Sequence, residues 1–477
     1  MASVTALPPG PRESPLRQLV RYVPHPAEFL EECGRAFGPR FTMRLAGFGT
    51  FVQLAQPAAV QELFRGDPTQ LHSGEANAFL AVTVGRRSVL VLDEAAHADQ
   101  RRVLVPPLHG SRMQARVEPM RRATEAALRD WPLGRAVPLE PLMRDLTLRT
   151  MLDVVLGIGE AEAREVAAQR LGRDLAKLLS YARTPFAIVF ANLAPHELLR
   201  RVPFLPYYRE LRRIHAALDQ RIERRRAAMR SPDRAVEPTD RAAPPGDLLS
   251  ELLRATRADG RPIDDGEIRD ALMTILVAGH DTTAVALAWL FLQIGERDGV
   301  QQRLRAELRA VTGGEPIAAD HLPRLTYLDA VVRESLRLCT VVPFVTRRLT
   351  VPLRVDGHDY PAGVHLCPCI HLVHRDPELY PEPERFRPER FLERKFGPHE
   401  WLPFGGGERL CTGMAFALTE MKVVAATLLA ALELERPRDA ATKRVRSGVL
   451  IAPSDGVVVV AQRSPIAGAA TSAASTP

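Results

Sequence analysis

Phe404-Gly405-Gly406-Gly407-Glu408-Arg409-Leu410-Cys411-Thr412-Gly413 is the stretch around which this 477-residue chain is read. It holds one cysteine in a glycine-dense loop, and the apolar, helix-forming run Met414-Ala415-Phe416-Ala417-Leu418 follows at once. A thiol at the mouth of a helix faces unsatisfied N–H groups and the positive end of the helix dipole, and both favour the thiolate. Three successive glycines let the backbone approach something flat and bulky with no Cβ in the way. A buried free cysteine beside a turn is the usual fate of a lone cysteine. The order F-x-x-G-x-R-x-C-x-G favours a metal ligand instead, and thiolate ligation of a haem iron fits the loop.

In that order the loop resembles the haem-binding loop of the haem-thiolate monooxygenases, the cytochromes P450. The resemblance implies Cys411 as the axial ligand of haem b (iron protoporphyrin IX). It implies Arg409 on a haem propionate, Phe404 beside the thiolate, Gly407 at the turn, and Gly405 and Gly413 against the cofactor. The fold it implies is mainly α with a smaller β region: a single triangular domain, with haem between a long central helix and the cysteine loop and helix.

Other segments carry motifs of their own. Ile268 to Ile294 is a long helical run without proline, and inside it lies Ala278-Gly279-His280-Asp281-Thr282-Thr283. Gly279 costs a helix interior roughly 1 kcal/mol relative to Ala. The polar pair Asp281 and Thr282 interrupts an apolar stretch, and back-bonding of Thr282 to the preceding turn would loosen the helix. The hexapeptide is similar to the family's A-G-x-[DE]-T-[TS]. That implies a helix opened for dioxygen, Ala278 and Gly279 against the haem, Val277 at the substrate, and protons relayed by Thr282 assisted by Asp281. It also speaks against the family's peroxide-driven branch.

His97 and Arg101 stand i, i+4 on one helical face. Such pairs are commonly just solvated, but they match the family's H-x-x-x-R, which implies a propionate site. Arg102 would then face the surface used by an electron donor. Glu334 and Arg337, in E-x-x-R, can pair on one helical face. The resemblance implies a buried lock completed by Arg390 of the P-E-R-F segment, with Arg387 or Arg385 as substitutes. Pro343 favours extended chain in Val341-Val342-Pro343-Phe344-Val345-Thr346-Arg347. There the family places Val341, Val342, Phe344 and Val345 at the substrate and Arg347, rather than Arg348, on the second propionate. Asn77 to Val91 reads as mixed and loop-like. Phe79, Leu80 and Val82 match a region that closes over substrate, and ordinary core packing accounts for them equally well. Phe186 to Leu193 could line a lid, though helix packing has the larger share.

Charged residues make up 25% and apolar residues 46% of the chain, an ordinary globular balance. The net charge of +7 is spread through Arg-rich helices with no basic block interleaved with aromatics, which excludes a nucleic-acid reader. A basic face suits an acidic protein partner. Five cysteines, including Cys367-Pro-Cys369, form no disulfide framework, so the chain reads as reduced and cytoplasmic. No apolar leader or membrane anchor opens the sequence, as in soluble bacterial members of the family. The expected division is a proline-rich lead-in (1–14), one domain (15–463) and a disordered tail (464–477). Phe41 to Leu54 reads as a hairpin, Pro57 to Phe64 as a helix, Met113 to Met229 as helical nearly throughout, and Ser231 to Gly246 as a flexible connection. Strands are expected at Leu353–Val355 and Gly363–Leu366.

The function implied is monooxygenation. O2 is the co-substrate, and the substrate is an apolar small molecule such as a terpene, steroid, fatty acid or macrolide. NAD(P)H electrons arrive through a ferredoxin and ferredoxin reductase or a flavodoxin-type donor, and the protein acts as a monomer. Competing readings are a haem-thiolate isomerase or coupling enzyme, and a haem-binding protein without turnover.

Overall fold

The computed structural model describes residues 7–184, 206–230, 247–257, 259–297 and 299–464. The expectations for Phe186–Leu193, for 231–246 and for the tail beyond 464 lie outside the described residues.

The centre of the molecule is the helix Asp265–Gly295. Asp264 caps it: its carboxylate accepts from the Glu267 N–H at 3.0 Å, beside two further acids in the first turn. From Thr283 to Ile294 every residue is buried, so this part has no solvent face at all, as expected of a helix that is apolar all round. It packs against the helices Leu139–Leu156, Thr326–Leu338 and Met414–Ala431, and the last of these also lies on Ser111–Arg129. Asp265–Gly295 and Met414–Ala431 are long and apolar enough to cross a membrane. About two thirds of each apolar window is instead buried inside the fold (67% and 61%), where it forms the core.

The β region is small. β1 (Arg40–Leu45) and β2 (Gly49–Leu54) form the expected hairpin, with Leu45 opposite Gly49 and a turn that uses positive φ at Gly47 and Gly49. β2 pairs in parallel with β8 (His365–Pro368), and β8 lies antiparallel to β5 (Arg347–Leu349). β3 (Leu71–His72) closes the sheet in the order β1-β2-β8-β5-β3. β6 (Leu353–Val355) and β7 (His358–Tyr360) make a separate hairpin. β4 (Ala136–Pro138) and β9 (Leu432–Glu435) flank β12 (Val458–Arg463), while β10 (Arg444–Ser447) pairs with β11 (Leu450–Pro453).

Several local expectations change. The helical stretch from Met113 to Met229 is broken by β4, whose partner β12 lies more than 300 residues further on. Asn77 to Val91 is less loop-like than expected, beginning inside the 3-10 turn Glu75–Leu80 and continuing through the short helix Ala81–Val84. The strand expected at Gly363–Leu366 runs instead from His365 to Pro368. Cys367 and Cys369 are both buried, the first in β8 and the second immediately beyond it.

Candidate active site

The cysteine loop is shaped by its glycines. Gly405 and Gly407 adopt φ of +68° and +66°. A Cβ on Gly406 would overlap the Phe64 ring, and one on Gly407 would lie 2.5 Å from the Phe64 carbonyl, so the loop rests directly on the helix Pro57–Arg65. The Cys411 N–H donates to the Phe404 carbonyl at 3.0 Å, which turns Cys411 toward a cavity of about 690 Å³. The helix Met414–Ala431 starts just beyond, with Gly413 at its cap. Cys411 is exposed, and it lines the cavity, with protein packed around the rest of it. Burial pushes its thiol up, against the lowering effects of the Gly413 N–H and the Arg101 charge. Desolvation therefore works against the helix mouth at this sulfur, and a bound cation would tip the balance to the thiolate.

Across the cavity lies the central helix, which contributes Thr274, Ile275, Ala278, Gly279, Thr282 and Thr283. A Cβ on Gly279 would sit 3.1 Å from the Met151 sulfur, so close helix packing also calls for glycine here. The Thr282 hydroxyl donates to the Ala278 carbonyl at 2.6 Å, as the sequence suggests, and the helix runs through this turn unbroken. Asp281 does not line the cavity. Successive helical residues are rotated by about 100°, so an acid next to a cavity-facing threonine must look elsewhere. Its carboxylate is 3.2 Å from Arg144 Nε and 3.1 Å from an Arg183 Nη, and Arg183 Nε donates to it at 3.3 Å. His280 is buried with Nδ1 2.9 Å from the Thr147 hydroxyl, and burial pushes it down to about 4, leaving it neutral.

His97, Arg101, Arg347 and Arg409 all border the same space. Arg101 donates to the Leu410 carbonyl at 2.7 Å and Arg347 to the Gly406 carbonyl at 3.2 Å. Arg409 pairs with Asp93 at 2.5 Å and donates to the Val89 carbonyl at 3.3 Å. Burial, then the Arg409 charge, pushes Arg347 down to about 10. Burial, then Arg409 and Arg101, holds His97 at about 3. Among the described residues neither Arg101 nor Arg347 meets a carboxylate. Guanidinium groups so stripped of water and counter-charge call for an anion. A haem brings two carboxylates, a flat face for the glycine loop and a metal for Cys411, and the residues present fit it.

Of the substrate candidates, Phe79, Leu80, Val341, Val342, Phe344 and Val345 line the cavity. Val82 and Val277 do not; both pack against the main core instead. Val277 precedes cavity-facing Ala278 and is rotated off the same helix face. The sequence reading missed Tyr22, Phe51, Leu90, Met151, Ile370 and Arg446, which come from six separate parts of the chain and share no local pattern.

Behind the site, Glu334 and Arg337 are fully buried, joined at 2.7 and 2.8 Å. Arg390 Nε donates to the same carboxylate at 3.3 Å. The side chains of Arg385 and Arg387 turn away to Glu382 and Glu393, although the Arg387 backbone N–H donates to Glu334 at 2.8 Å.

Known proteins resemble this chain over nearly its whole length. A family profile described as Cytochrome P450 matches residues 8–460. A protein assigned as cytochrome P450 135B1 in Mycobacterium tuberculosis is 37% identical over 454 residues, 95% of this chain and 91% of the relative. A Mycobacterium bovis protein assigned as cytochrome P450 138 is 32% identical, covering 96% and 97%. The haem domain of cytochrome P450DA superposes with a TM-score of 0.82 at 22% identity, covering 97% of this chain and 99% of that one. A retinoic-acid-bound cyanobacterial CYP120A1 gives 0.79 at 23% identity, covering 96% and 100%. With the Cys411 thiol and Arg101, Arg347 and Arg409 on the wall of one cavity, the chain belongs to the cytochrome P450 family, the haem-thiolate monooxygenases.

Proposed function

We propose that this protein hydroxylates or epoxidises an apolar small molecule of the size of a terpene, steroid, fatty acid or macrolide. What carries the reading is that Cys411 and the Thr282 turn border one cavity, into which Arg101 and Arg347 bring guanidinium groups that have no carboxylate partner among the described residues. Cys411 would hold the iron as its thiolate, Arg101 and Arg347, with Arg409 beside them, would balance the charge of the two propionates, and the neutral His97 would donate a hydrogen bond to one of them. When bound, the haem supplies reductive activation of O2, one atom of which enters the substrate while the other leaves as water.

The chain's own residues then manage water and protons. Phe79, Leu80, Val341, Val342, Phe344 and Val345 present apolar surface that orients the substrate and keeps bulk water out. Thr282 offers its hydroxyl oxygen to the cavity while its proton is committed to the Ala278 carbonyl. Asp281, held by Arg144 and Arg183 on the outer side of the helix, is the next proton carrier. Its handover to Thr282 requires loosening one of those ion pairs or an intervening water. Glu334, Arg337 and Arg390 hold the wall behind the loop.

Electrons come from NAD(P)H through a ferredoxin and its reductase, or a flavodoxin-type donor, docking on the basic surface near Cys411. Arg102, exposed and paired with Asp99, belongs to that surface. Steered docking makes turnover fall as salt rises. The functional unit is a cytoplasmic monomer built from residues 15–463.

The deciding experiment is the spectrum of the reduced, CO-bound protein. A thiolate-ligated haem gives its characteristic red-shifted band, and Cys411→Ala loses it. A haem held by nitrogen in the wild type would overturn the assignment. Turnover under 18-oxygen gas then separates insertion from isomerisation or coupling, which leave the product unlabelled.

A further inference from the structure

The charges on the cavity wall do not all belong to the cofactor. Arg348 is answered by Glu75 at 2.6 Å. That leaves Arg446, on β10, well away in sequence from the four residues gathered at the loop. Its Nε donates to the Gly448 carbonyl at 2.6 Å, and its guanidinium lies 5.3 Å from the centre of the Tyr22 ring. Its two Nη groups meet no acceptor among the described residues. Arg444, two residues away, is by contrast held by Glu28 and Glu31. Apolar surface continues inward from Arg446: Tyr22 lies 6.2 Å from Phe344, and Phe344 lies 6.2 Å from Phe51, ring centre to ring centre. All three rings line the cavity.

We propose that Arg446 is the anchor for a carboxylate, and that the substrate is an amphipathic carboxylic acid whose apolar chain runs from Arg446 past Tyr22 and Phe344 toward Thr282. A guanidinium with both Nη groups available presents the fork that a carboxylate fills bidentately. One unpaired cation balances one negative charge, which favours a carboxylate over a phosphate dianion. The stacked Tyr22 ring holds the guanidinium in place, so little freedom is lost on binding. This inference narrows the substrate class of the monooxygenase reading and rests on it.

The test uses purified holoprotein whose reduced, CO-bound spectrum has already been recorded. Straight-chain acids of roughly ten to eighteen carbons, spanning a range of buried methylenes, are each compared with the alcohol of equal length. Binding is followed by the Soret shift and by calorimetry at about pH 7.5, where the acids are ionised. The wild type binds the best acid about tenfold or more tightly than its alcohol, as a charge-assisted pair requires. Arg446→Gln removes that preference and leaves alcohol affinity within about twofold, and Arg446→Lys keeps part of it. Equal binding of acid and alcohol across the whole series, or an equal loss of both in Arg446→Gln, overturns the anchor and leaves the monooxygenase reading standing. Absence of the thiolate band removes that reading first, and the anchor with it.

Discussion

Glu420 tests whether burial in this core acts as the structure implies. It lies on the helix that follows Cys411, fully buried, and both carboxylate oxygens lack a hydrogen-bond partner. Burial raises its carboxyl from 4.5 to about 8, and the neighbouring Thr150 hydroxyl offsets little. The physical reason is that this hydroxyl already donates to the Leu146 carbonyl at 3.1 Å. It therefore offers Glu420 a lone pair, which suits a protonated carboxyl and not an ionised one. The folded protein thus keeps a proton that the unfolded chain releases. For such a group stability is greatest below the unfolded value and falls as pH rises toward the folded one. The displacement from 4.5 to about 8, at about 1.4 kcal/mol per pH unit, amounts to about 5 kcal/mol lost by pH 8. Glu420→Gln keeps the shape and removes the titration. Its thermal midpoint should match that of the wild type near pH 5 and exceed it by about 5 °C near pH 8, given the unfolding entropy of a chain this long. The assay is paired calorimetric scans of the two holoproteins across that range, so that every other titrating group cancels in the difference. Parallel curves, or a variant less stable at pH 8, would refute the argument.

The remaining predictions concern the site and its support. Glu334→Ala leaves the Arg337 and Arg390 charges buried and unpaired, costing about 3–5 kcal/mol, read as loss of soluble haem-loaded protein and a lower urea midpoint. Gly406→Ala drives a Cβ into the Phe64 ring, and an overpacking cost of about 1–3 kcal/mol lowers the haem-to-protein ratio. Adding Phe64→Ala should restore part of that ratio, and no recovery would count against steric contact as the cause. Thr282→Ala keeps oxidising NAD(P)H but releases peroxide, with product per NAD(P)H down about tenfold or more. Unchanged coupling would remove Thr282 from the relay.

The site was legible in so far as its chemistry is written in short segments. The cysteine loop, the Ala278–Thr283 turn, the Glu334–Arg337 pair and the His97–Arg101 pair each lie within one turn of helix or one loop. Their relation to one another follows local geometry. What lay beyond reading was orientation around a helix axis. Asp281 and Thr282 are neighbours in sequence, yet one faces two arginines and the other the cavity. Val277 and Val82 were misplaced for want of the same information, and Tyr22 and Arg446 were missed because their place on the cavity wall depends on pairings hundreds of residues apart.

By itself the sequence determined the long apolar helix, the glycine-rich cysteine loop and the family they resemble, because periodicity, backbone freedom and residue order act over a few residues at a time. The tertiary structure decided the parallel pairing of β2 with β8, which side of the central helix meets the cavity, and the upward displacement of the Cys411 and Glu420 acids. Those depend on how much water the rest of the chain excludes from a given atom, and desolvation is a property of everything packed around it.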